Sequence, residues 1–368
     1  MFVTASDHLH TKELDSANAN FALFRKYHKL EDPDVSDGEA TLRGDYYFSR
    51  FSLDLIPVDS VEITDRFARI LREDASRFSS EELPSMTYEN PGSFARGKAL
   101  LESQLKKICS TENQEMRQDL ERVLLAGGKR LRPALSQAAY GLGRDPSYPI
   151  LPLMVMIELM HSASLIHDDV VDQGQKRRGV PTINALRGNL KAVRSADFVL
   201  GRAMELLKIY KGSGINERLA AVSEQMCIGE LEQMECLNSG IDEERYFDLI
   251  RKKTALFIEA AAWCGGIAGG CEDSVLQALE TYGYHIGIAF QIKDDILDYT
   301  GKERFGKETG QDSRKGLRTL PSIIGIGKAQ ERVTEHSEKA IKAIQNVNGG
   351  VSRTALIRMA RQLEKREI

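Results

Sequence analysis

Three aspartates lie within five positions of the segment LIHDDVVD, residues 165–172. They are Asp168, Asp169 and Asp172, and the run that precedes them is apolar. Like charges crowded on one element repel each other unless a cation or a ligand compensates them. The chemistry of this segment therefore depends on what the compensating group is.

A second cluster, in the segment FQIKDDILDYTG, repeats the spacing with Asp294, Asp295 and Asp298. Positions i and i+4 of a helix share a face, so the first and third aspartates of each cluster are expected to point together. Both clusters follow apolar runs, which places each near the C-terminal end of a buried helix. The helix dipole does not stabilise carboxylates there, so an external cation is needed.

The donor types in these clusters favour Mg²⁺. No histidine or cysteine has a matching spacing, which argues against zinc, and no calcium loop is found. Oxygen-only clusters suit Mg²⁺, which is typically held by a few carboxylates together with substrate phosphates. One such motif is equally typical of a solvated acidic helix end, but two matched copies favour a pair of patches that bind a diphosphate through Mg²⁺.

Basic residues accompany the aspartates at several positions. They are Lys129, Arg130 and Arg132 in GGKRLRP, Lys176, Arg177 and Arg178 after the first cluster, Lys252 and Lys253 in IRKKTALF, and Lys307 in RFGKETGQD. Any one of them is typical of a solvated surface charge. As a set they predict a second anion site, because arginine and lysine both bind phosphate. Two polyanionic substrates indicate a coupling reaction.

Composition narrows the function classes. The chain has 368 residues and a net charge of -4, without the basic balance typical of nucleic-acid-binding proteins. Its five cysteines form no CxxC pair and read as buried thiols of a cytoplasmic protein. The sequence contains no run of about 18 apolar residues, so no transmembrane segment is predicted. The N-terminus is acidic and does not resemble a secretory signal.

Helical periodicity dominates the elements that must position these groups. MRQDLERVLL places Met116, Leu120, Val123 and Leu124 on one face, and ILPLMVMIELMHSASLI is apolar almost all round. Strand signals are scarce, so we predict an all-α protein of long packed helices. Residues 79–93 are rich in Ser, Glu and Pro, which predicts a boundary between an N-terminal segment, 1–90, and a catalytic domain, 91–368.

Taken together, these motifs resemble the trans-isoprenyl (polyprenyl) diphosphate synthases. The resemblance rests on GGKRLRP, HSASLIHDDVVD, RRGVPT, GELEQ, KKTALF and FQIKDDILDYTG, and within the family it is greatest to the catalytic subunit of bacterial heptaprenyl diphosphate synthases. It implies an isoprenoid synthase-type bundle of long helices around a central cavity. It also implies repeated condensation of isopentenyl diphosphate onto an allylic diphosphate, with two or three Mg²⁺ ions in each site.

The same resemblance implies roles for individual residues. The metal ligands would be Asp168, Asp169, Asp172, Asp294 and Asp295, with Asp298 and Lys253 also catalytic. Arg178, Lys253 and Lys307 would contact the allylic diphosphate, and Gln291 would also bind substrate. Isopentenyl diphosphate would be held by Lys129, Arg130, Arg132, His161 and Arg177.

Product length is predicted from the helix before Asp168. In this family, bulky residues just upstream of the first cluster stop chain growth. Here Ala163 and Ser164 are small and Met160 is flexible, so growth is expected to continue toward Ile157. The predicted product has about 30 to 35 carbons, estimated from the helix rise, and would supply menaquinone side chains.

Three questions stay open at this stage. A class I terpene cyclase also ionises a diphosphate with Mg²⁺. The intact aspartates argue against a non-catalytic subunit, but Leu317, which replaces a usual diphosphate lysine, and the short C-terminal part leave that alternative open. Residues 43–51, RGDYYFSRF, resemble a segment of the non-catalytic subunit of two-component synthases, with a chance match as the alternative. We expect either a homodimer or a heterodimer with a small partner, in the cytoplasm, with membrane contact at product release.

Overall fold

The computed structural model describes residues 94–237, 240–300 and 316–364. The predicted N-terminal segment, 1–90, and Lys307 lie outside these residues. Within them the chain is almost entirely helical, which confirms the predicted all-α class. The exception is one short hairpin directly after the first aspartate cluster, which the sequence did not predict.

The elements run in chain order as follows. The helices are α1 (Phe94–Cys109), α2 (Gln114–Leu124), α3 (Leu131–Tyr140), α4 (Ile150–Val171), α5 (Ile183–Arg187), α6 (Asn189–Leu207), α7 (Ile215–Glu235), α8 (Glu243–Ile250), α9 (Leu256–Ala268), α10 (Asp273–Tyr299), α11 (Leu320–Ile324), α12 (Ile326–Ile344) and α13 (Gly350–Glu364). A 3₁₀ turn, Lys208–Tyr210, follows α6, and a π-helical segment, Arg251–Ala255, joins α8 to α9. The hairpin pairs β1 (Lys176–Arg177) with β2 (Val180–Pro181) in antiparallel register.

Helix α4 is the central helix that the apolar run predicts. Most of its residues are buried, including Leu153, Met156, Ile157 and Leu159. By length and composition alone it would be able to cross a membrane, but 78% of its apolar window is buried inside the protein. Such burial is expected of a helix surrounded by other helices.

Side-chain caps fix the start of two helices near the site. Asn113 accepts a hydrogen bond from the Met116 N–H at 3.0 Å, and Asp242 accepts one from the Arg245 N–H at 2.8 Å. Each satisfies one of the N–H groups that the first turn leaves without an intrahelical partner. These caps determine where α2 and α8 begin.

Two apolar clusters form the core, and α9 contributes to both. Phe257 and Ala260 belong to the cluster built around α4 and α6, whereas Ile258 and Ala262 belong to the one built around α10 and α12. Helix α9 is apolar on opposite faces because each face packs against one of these two clusters. The two aspartate helices, α4 and α10, are thereby packed into one body.

Close packing of α3 against α9 depends on a glycine. A side chain at Gly265 would overlap the carbonyl oxygen of Ser136 on α3. The helices can approach this closely only where one of them lacks a Cβ atom. The approach matters because the first turn of α3 carries Arg132 of the predicted site.

Candidate active site

The first aspartate cluster lies where α4 ends. Asp168 is in the last turn, and Asp172 caps the helix by donating its N–H to the Asp168 carbonyl at 2.8 Å. Burial, together with the negative charges of Glu230 and Asp172, raises the pKa of the Asp168 carboxyl to about 7, although Lys253 and Arg177 oppose the rise. The fold thus crowds negative charge around this carboxyl, which a bound cation would relieve.

Asp169 faces the hairpin instead. Its two carboxylate oxygens each accept from the Arg177 Nε at 2.9 Å. Arg178 and Gly179 both have positive φ, as a two-residue hairpin turn requires. The turn folds Arg177 back onto the cluster, so this predicted isopentenyl diphosphate residue lies beside Asp169.

The π-helical segment supplies the next cation. Lys253 donates to Gln233 Oε1 at 3.0 Å and pairs with Glu230 Oε2 at 2.5 Å, both on α7. Burial disfavours its charge, but Glu230 and Asp168 outweigh burial and raise the Lys253 pKa above its ordinary value. The ammonium group is therefore held charged beside the first cluster.

Gly229 permits this contact, and its replacement provides a test. A Cβ atom there would lie 2.8 Å from Lys252 Cβ and 3.0 Å from Lys253 Cγ. We expect Gly229→Ala to displace Lys253 and to lower kcat/KM for the allylic substrate by about tenfold to a hundredfold. Steady-state kinetics measures the effect.

Gly327→Ala is the matched control for that substitution. Gly327 lies in α12 with open space around its Cα, so the same change adds a methyl group that meets nothing. Its kinetics should equal those of the wild type. Equal kinetics in both variants would contradict the role given to the contact between α7 and the π segment.

The second cluster is divided between two environments. Asp295 is 4% exposed, and its carboxylate accepts from the Tyr246 hydroxyl at 2.6 Å and from Gln291 Nε2 at 2.8 Å. The side-chain oxygen of Gln291, Oε1, in turn accepts a hydrogen bond from Thr254 Oγ1 at 2.8 Å. Asp295, predicted as a metal ligand, is therefore placed among internal hydrogen bonds that orient Gln291, a predicted substrate residue.

Asp294 faces a cation that it shares with the first cluster. Both Asp294 and Asp168 act electrostatically on the Arg132 guanidinium, and Glu158 does so as well. Burial nevertheless lowers the Arg132 pKa to about 10. Asp298, one helical turn beyond Asp294, is buried at 9% exposure. One aspartate of each cluster therefore acts electrostatically on the same arginine.

Arg132 and His161 form the second anion group that the sequence predicts. The Arg132 Nη1 and His161 Nε2 atoms are 3.2 Å apart, and the guanidinium lies 5.4 Å from the centre of the Phe257 ring. Burial and the surrounding arginines lower the His161 pKa well below its usual range. His161 is therefore neutral and can accept from Arg132 while leaving the positive charge available to a ligand.

Arg130, which the sequence predicts as a substrate residue, is held in internal ion pairs. It is 4% exposed and pairs with Glu158 at 2.5 Å and Glu102 at 2.9 Å. Its Nη2 group donates to the Glu102 carboxylate at 3.1 Å and to the Leu124 carbonyl at 2.5 Å. The sequence groups Arg130 with the substrate residues, but the structure places its guanidinium in internal ion pairs that join α1 and α4.

Two more predicted cations, Lys129 and Arg178, lie at the loop before α3, whereas Lys252 pairs with Glu232 and Asp248. Lys129 is exposed, and Arg178 donates to the Gly127 carbonyl. Gly127 and Gly128 have positive φ, so the chain turns sharply before α3 begins. This turn brings Lys129, Arg132 and Arg178 to one end of α3.

The residues predicted to set product length are buried in α4. Ala163 is 2% exposed, Met160 7% and Ile157 0%. Ser164 donates its hydroxyl to the His161 carbonyl at 2.8 Å. Ala163, Met160 and Ile157 belong to the apolar cluster that includes Val199 of α6. The face of α4 behind Asp168 is therefore part of the apolar core.

Sequence reasoning missed several members of the site. Glu230, Gln233, Tyr246 and Thr254 all contact predicted residues, yet none was given a role. The segment GELEQ did contain a usable signal, because Glu230 and Gln233 are three positions apart on one helix face. The sequence contains no such signal for Tyr246, because it contacts Asp295, which is 49 positions away in the chain, only in the folded protein.

The donor set fits Mg²⁺. Within the three described ranges, no three His, Cys, Asp or Glu side chains converge closely enough to hold a metal by themselves. The carboxylate oxygens of Asp168, Asp172 and Asp294 are donors of the type that Mg²⁺ prefers, and negative charge from Glu230 and Asp172 surrounds Asp168. Mg²⁺ completes such a shell with water and substrate phosphates.

Comparison with known proteins places the chain among enzymes of isoprenoid synthesis. The polyprenyl synthetase family model matches residues 113–354. A short chain isoprenyl diphosphate synthase of Methanocaldococcus jannaschii is 36% identical over 231 residues, which cover 61% of this chain and 70% of the relative. Component 2 of the heptaprenyl diphosphate synthase of Geobacillus stearothermophilus is 35% identical over 237 residues, covering 64% and 73% respectively.

Solved structures show the same architecture. The heptaprenyl diphosphate synthase of Staphylococcus aureus superposes with a TM-score of 0.72 at 26% identity and covers 75% of this chain and 99% of its own. A polyprenyl synthase of Caulobacter crescentus, complexed with calcium and isoprenyl diphosphate, gives 0.70 at 28% identity, covering 74% and 95%. The predicted isoprenoid synthase-type fold is confirmed.

Proposed function

The chain belongs to the polyprenyl synthetase family of prenyltransferases, and we propose that it adds isopentenyl diphosphate units to an allylic diphosphate in an Mg²⁺-dependent reaction. The observation that carries this proposal is the position of Arg132. Its guanidinium interacts electrostatically with Asp168 and Asp294, one from each aspartate cluster, and contacts the neutral His161. One substrate diphosphate on the aspartate side and one on the arginine side would meet in a single cleft.

On the aspartate side, the allylic diphosphate is oriented by carboxylates and cations of this chain. Asp168, Asp172 and Asp294 would hold Mg²⁺, which supplies positive charge that stabilises the leaving diphosphate. Lys253, held charged by Glu230, and Arg178 contact the same group, with Lys307 of the undescribed segment. Gln291 is oriented for it by Thr254 and Asp295.

On the arginine side, isopentenyl diphosphate is bound without metal. Arg132 donates to its phosphates while His161, neutral, fixes the guanidinium, and Lys129 and Arg177 add positive charge. Arg130 contributes indirectly, because its ion pairs with Glu102 and Glu158 hold the start of α3 against α1 and α4. The two substrates would thus differ in what neutralises their negative charge: Mg²⁺ for the allylic diphosphate, and cationic side chains alone for isopentenyl diphosphate.

The reaction then follows from geometry and charge. The C–O bond of the allylic diphosphate breaks and its electron pair leaves with the diphosphate. The buried apolar surface of α4 excludes water from the resulting allylic cation. The double bond of isopentenyl diphosphate attacks that cation, and a proton passes to the released diphosphate. This second substrate site favours chain elongation over cyclisation.

The finer features of the function belong to the same proposal. The product would have about 30 to 35 carbons, from the helix geometry before Asp168, and would serve menaquinone side chains. The enzyme would act in the cytoplasm and touch a membrane at product release. It would assemble as a homodimer or with a small partner subunit, an idea supported by the name of the Geobacillus relative, which is component 2 of its enzyme.

Metal removal tests the proposed chemistry. EDTA should abolish condensation of the two diphosphates, Mg²⁺ should restore it, and the purified protein should contain no zinc. The reason is that Asp168 and Asp294 provide charge but no shell that binds metal tightly without substrate phosphates. Circular dichroism in EDTA should show unchanged helix content. Full turnover in excess EDTA would refute the metal-dependent mechanism.

A further inference from the structure

A cavity of about 270 Å³ lies between α1, α3 and α13. From α3 it is lined by Pro133, Ala134 and Gln137. Arg132 and Ser136 project from the opposite face of α3, since each is half a helical turn away from Ala134. Arg132 belongs to the cleft of the aspartates, so the cavity is on the other side of this helix.

The lining of this cavity combines apolar walls with positive charge. Its apolar surface comes from Phe94, Leu101, Met154 and Met359, together with alanine and proline. The charged residues of its lining are Lys98, Lys129, Arg130 and Arg358, and among the described residues no aspartate or glutamate takes part in it. Like charges that line one cavity repel each other, so an anion bound there would be stabilised.

Arg130 is neutralised within the fold, whereas two exposed cations of the lining, Lys98 and Arg358, are not. Its ion pairs with Glu102 and Glu158 balance its charge and fix the inner wall. Lys98 and Arg358 are exposed and make no ion pair with any residue of the described ranges. The uncompensated charge therefore lies at the mouth, and the apolar surface lies deeper.

We propose that this cavity binds a phosphorylated amphiphile. A phosphate monoester would pair with Arg358 and Lys98 at the mouth, and the first carbons of its aliphatic chain would pack on Leu101, Met154 and Met359. Pockets of about 300 Å³ hold small ligands, so the cavity takes the head and the start of the chain. Binding in this cavity needs neither Mg²⁺ nor the aspartates, although Lys129 lines the cavity and also belongs to the proposed isopentenyl diphosphate site.

Two kinds of molecule combine a phosphate group with an aliphatic chain: soluble prenyl phosphates and membrane phospholipids. Two binding assays distinguish between these ligands. The full-length protein is titrated calorimetrically with geranyl monophosphate in EDTA, and with geraniol and inorganic phosphate as component probes. In parallel it is sedimented with phosphatidylcholine vesicles that contain or lack phosphatidic acid. Binding in the first assay identifies a soluble ligand, and binding in the second a membrane lipid.

Three variants locate the binding. Arg358→Glu should weaken it at least about tenfold, because charge at the mouth is reversed, and Met359→Trp should abolish it by filling the cavity. Arg361→Glu is the matched control, since Arg361 is exposed on the same helix but does not line the cavity. It should bind as the wild type does. Thermal unfolding checks that all three variants fold.

Two results would overturn the proposal. One is that Arg358→Glu and Arg361→Glu bind equally well in both assays, or that none of the proteins, wild type included, binds in either assay. The other is binding of inorganic phosphate as tight as that of geranyl monophosphate, which would make the site one for bare anions. Condensation activity is not part of either readout, so failure of the proposed function would leave these outcomes unchanged.

Discussion

Asp168→Ala and Asp294→Ala are each expected to lower turnover by several orders of magnitude without changing helix content. Each removes a carboxylate that acts electrostatically on Arg132, and neither side chain belongs to the two apolar clusters of the core. The positive charge that stabilises the leaving diphosphate would then be lost or misplaced. Single-turnover kinetics with circular dichroism on the same samples measures both effects.

Asp273→Ala is the control for these two variants. Asp273 is an exposed carboxylate on α10, the helix that carries Asp294, but it lies at the opposite end. Its removal should leave turnover within about twofold, as is usual for surface substitutions. Near-normal turnover in Asp168→Ala or Asp294→Ala would contradict the assignment of the aspartates.

Ala163→Tyr is expected to shorten the product without abolishing turnover. Ala163 lies five residues before Asp168, and the surface from there to Leu153 spans about 15 Å at the helical rise. One isoprene unit extends about 4–5 Å at extended-chain spacing, so this depth corresponds to about three or four units. A tyrosine at its start should end growth at about fifteen to twenty carbons. Chromatography of the dephosphorylated products gives the distribution.

A smaller block provides the graded control. Ala163→Leu adds less volume at the same 2% exposed position, so its products should be intermediate in length. Both variants should retain a cooperative thermal transition, although overpacking costs about 1–3 kcal/mol. An unchanged distribution in both folded variants would show that this face of α4 does not bind the growing chain.

Local pattern was sufficient to predict the helices that carry the chemistry. The apolar run before Asp168 predicted α4 because a helix that is hydrophobic all round must be surrounded. Because both aspartates follow that run, the sequence also placed Asp168 and Asp172 at the C-terminal end of α4, where the structure has them. These features depend on residues within a few turns of one another.

Contacts between distant residues were beyond such reasoning. The hydrogen bond from Tyr246 to Asp295 joins residues 49 positions apart. Arg130 is basic like its neighbours, and only the packing of Glu102 and Glu158 around it reveals its internal role. The π-helical segment changes the helical register at Lys253, so a regular periodicity does not predict which side chains it meets.

The central claim, that the chain elongates prenyl diphosphates, is tested most directly by identifying its product. Purified protein is incubated with farnesyl diphosphate, isopentenyl diphosphate and Mg²⁺, and the dephosphorylated products are analysed by chromatography and mass spectrometry. We predict a linear all-trans alcohol longer than farnesol. A cyclised hydrocarbon would instead indicate a terpene cyclase, and unreacted farnesyl diphosphate in the presence of a folded protein would indicate a non-catalytic subunit.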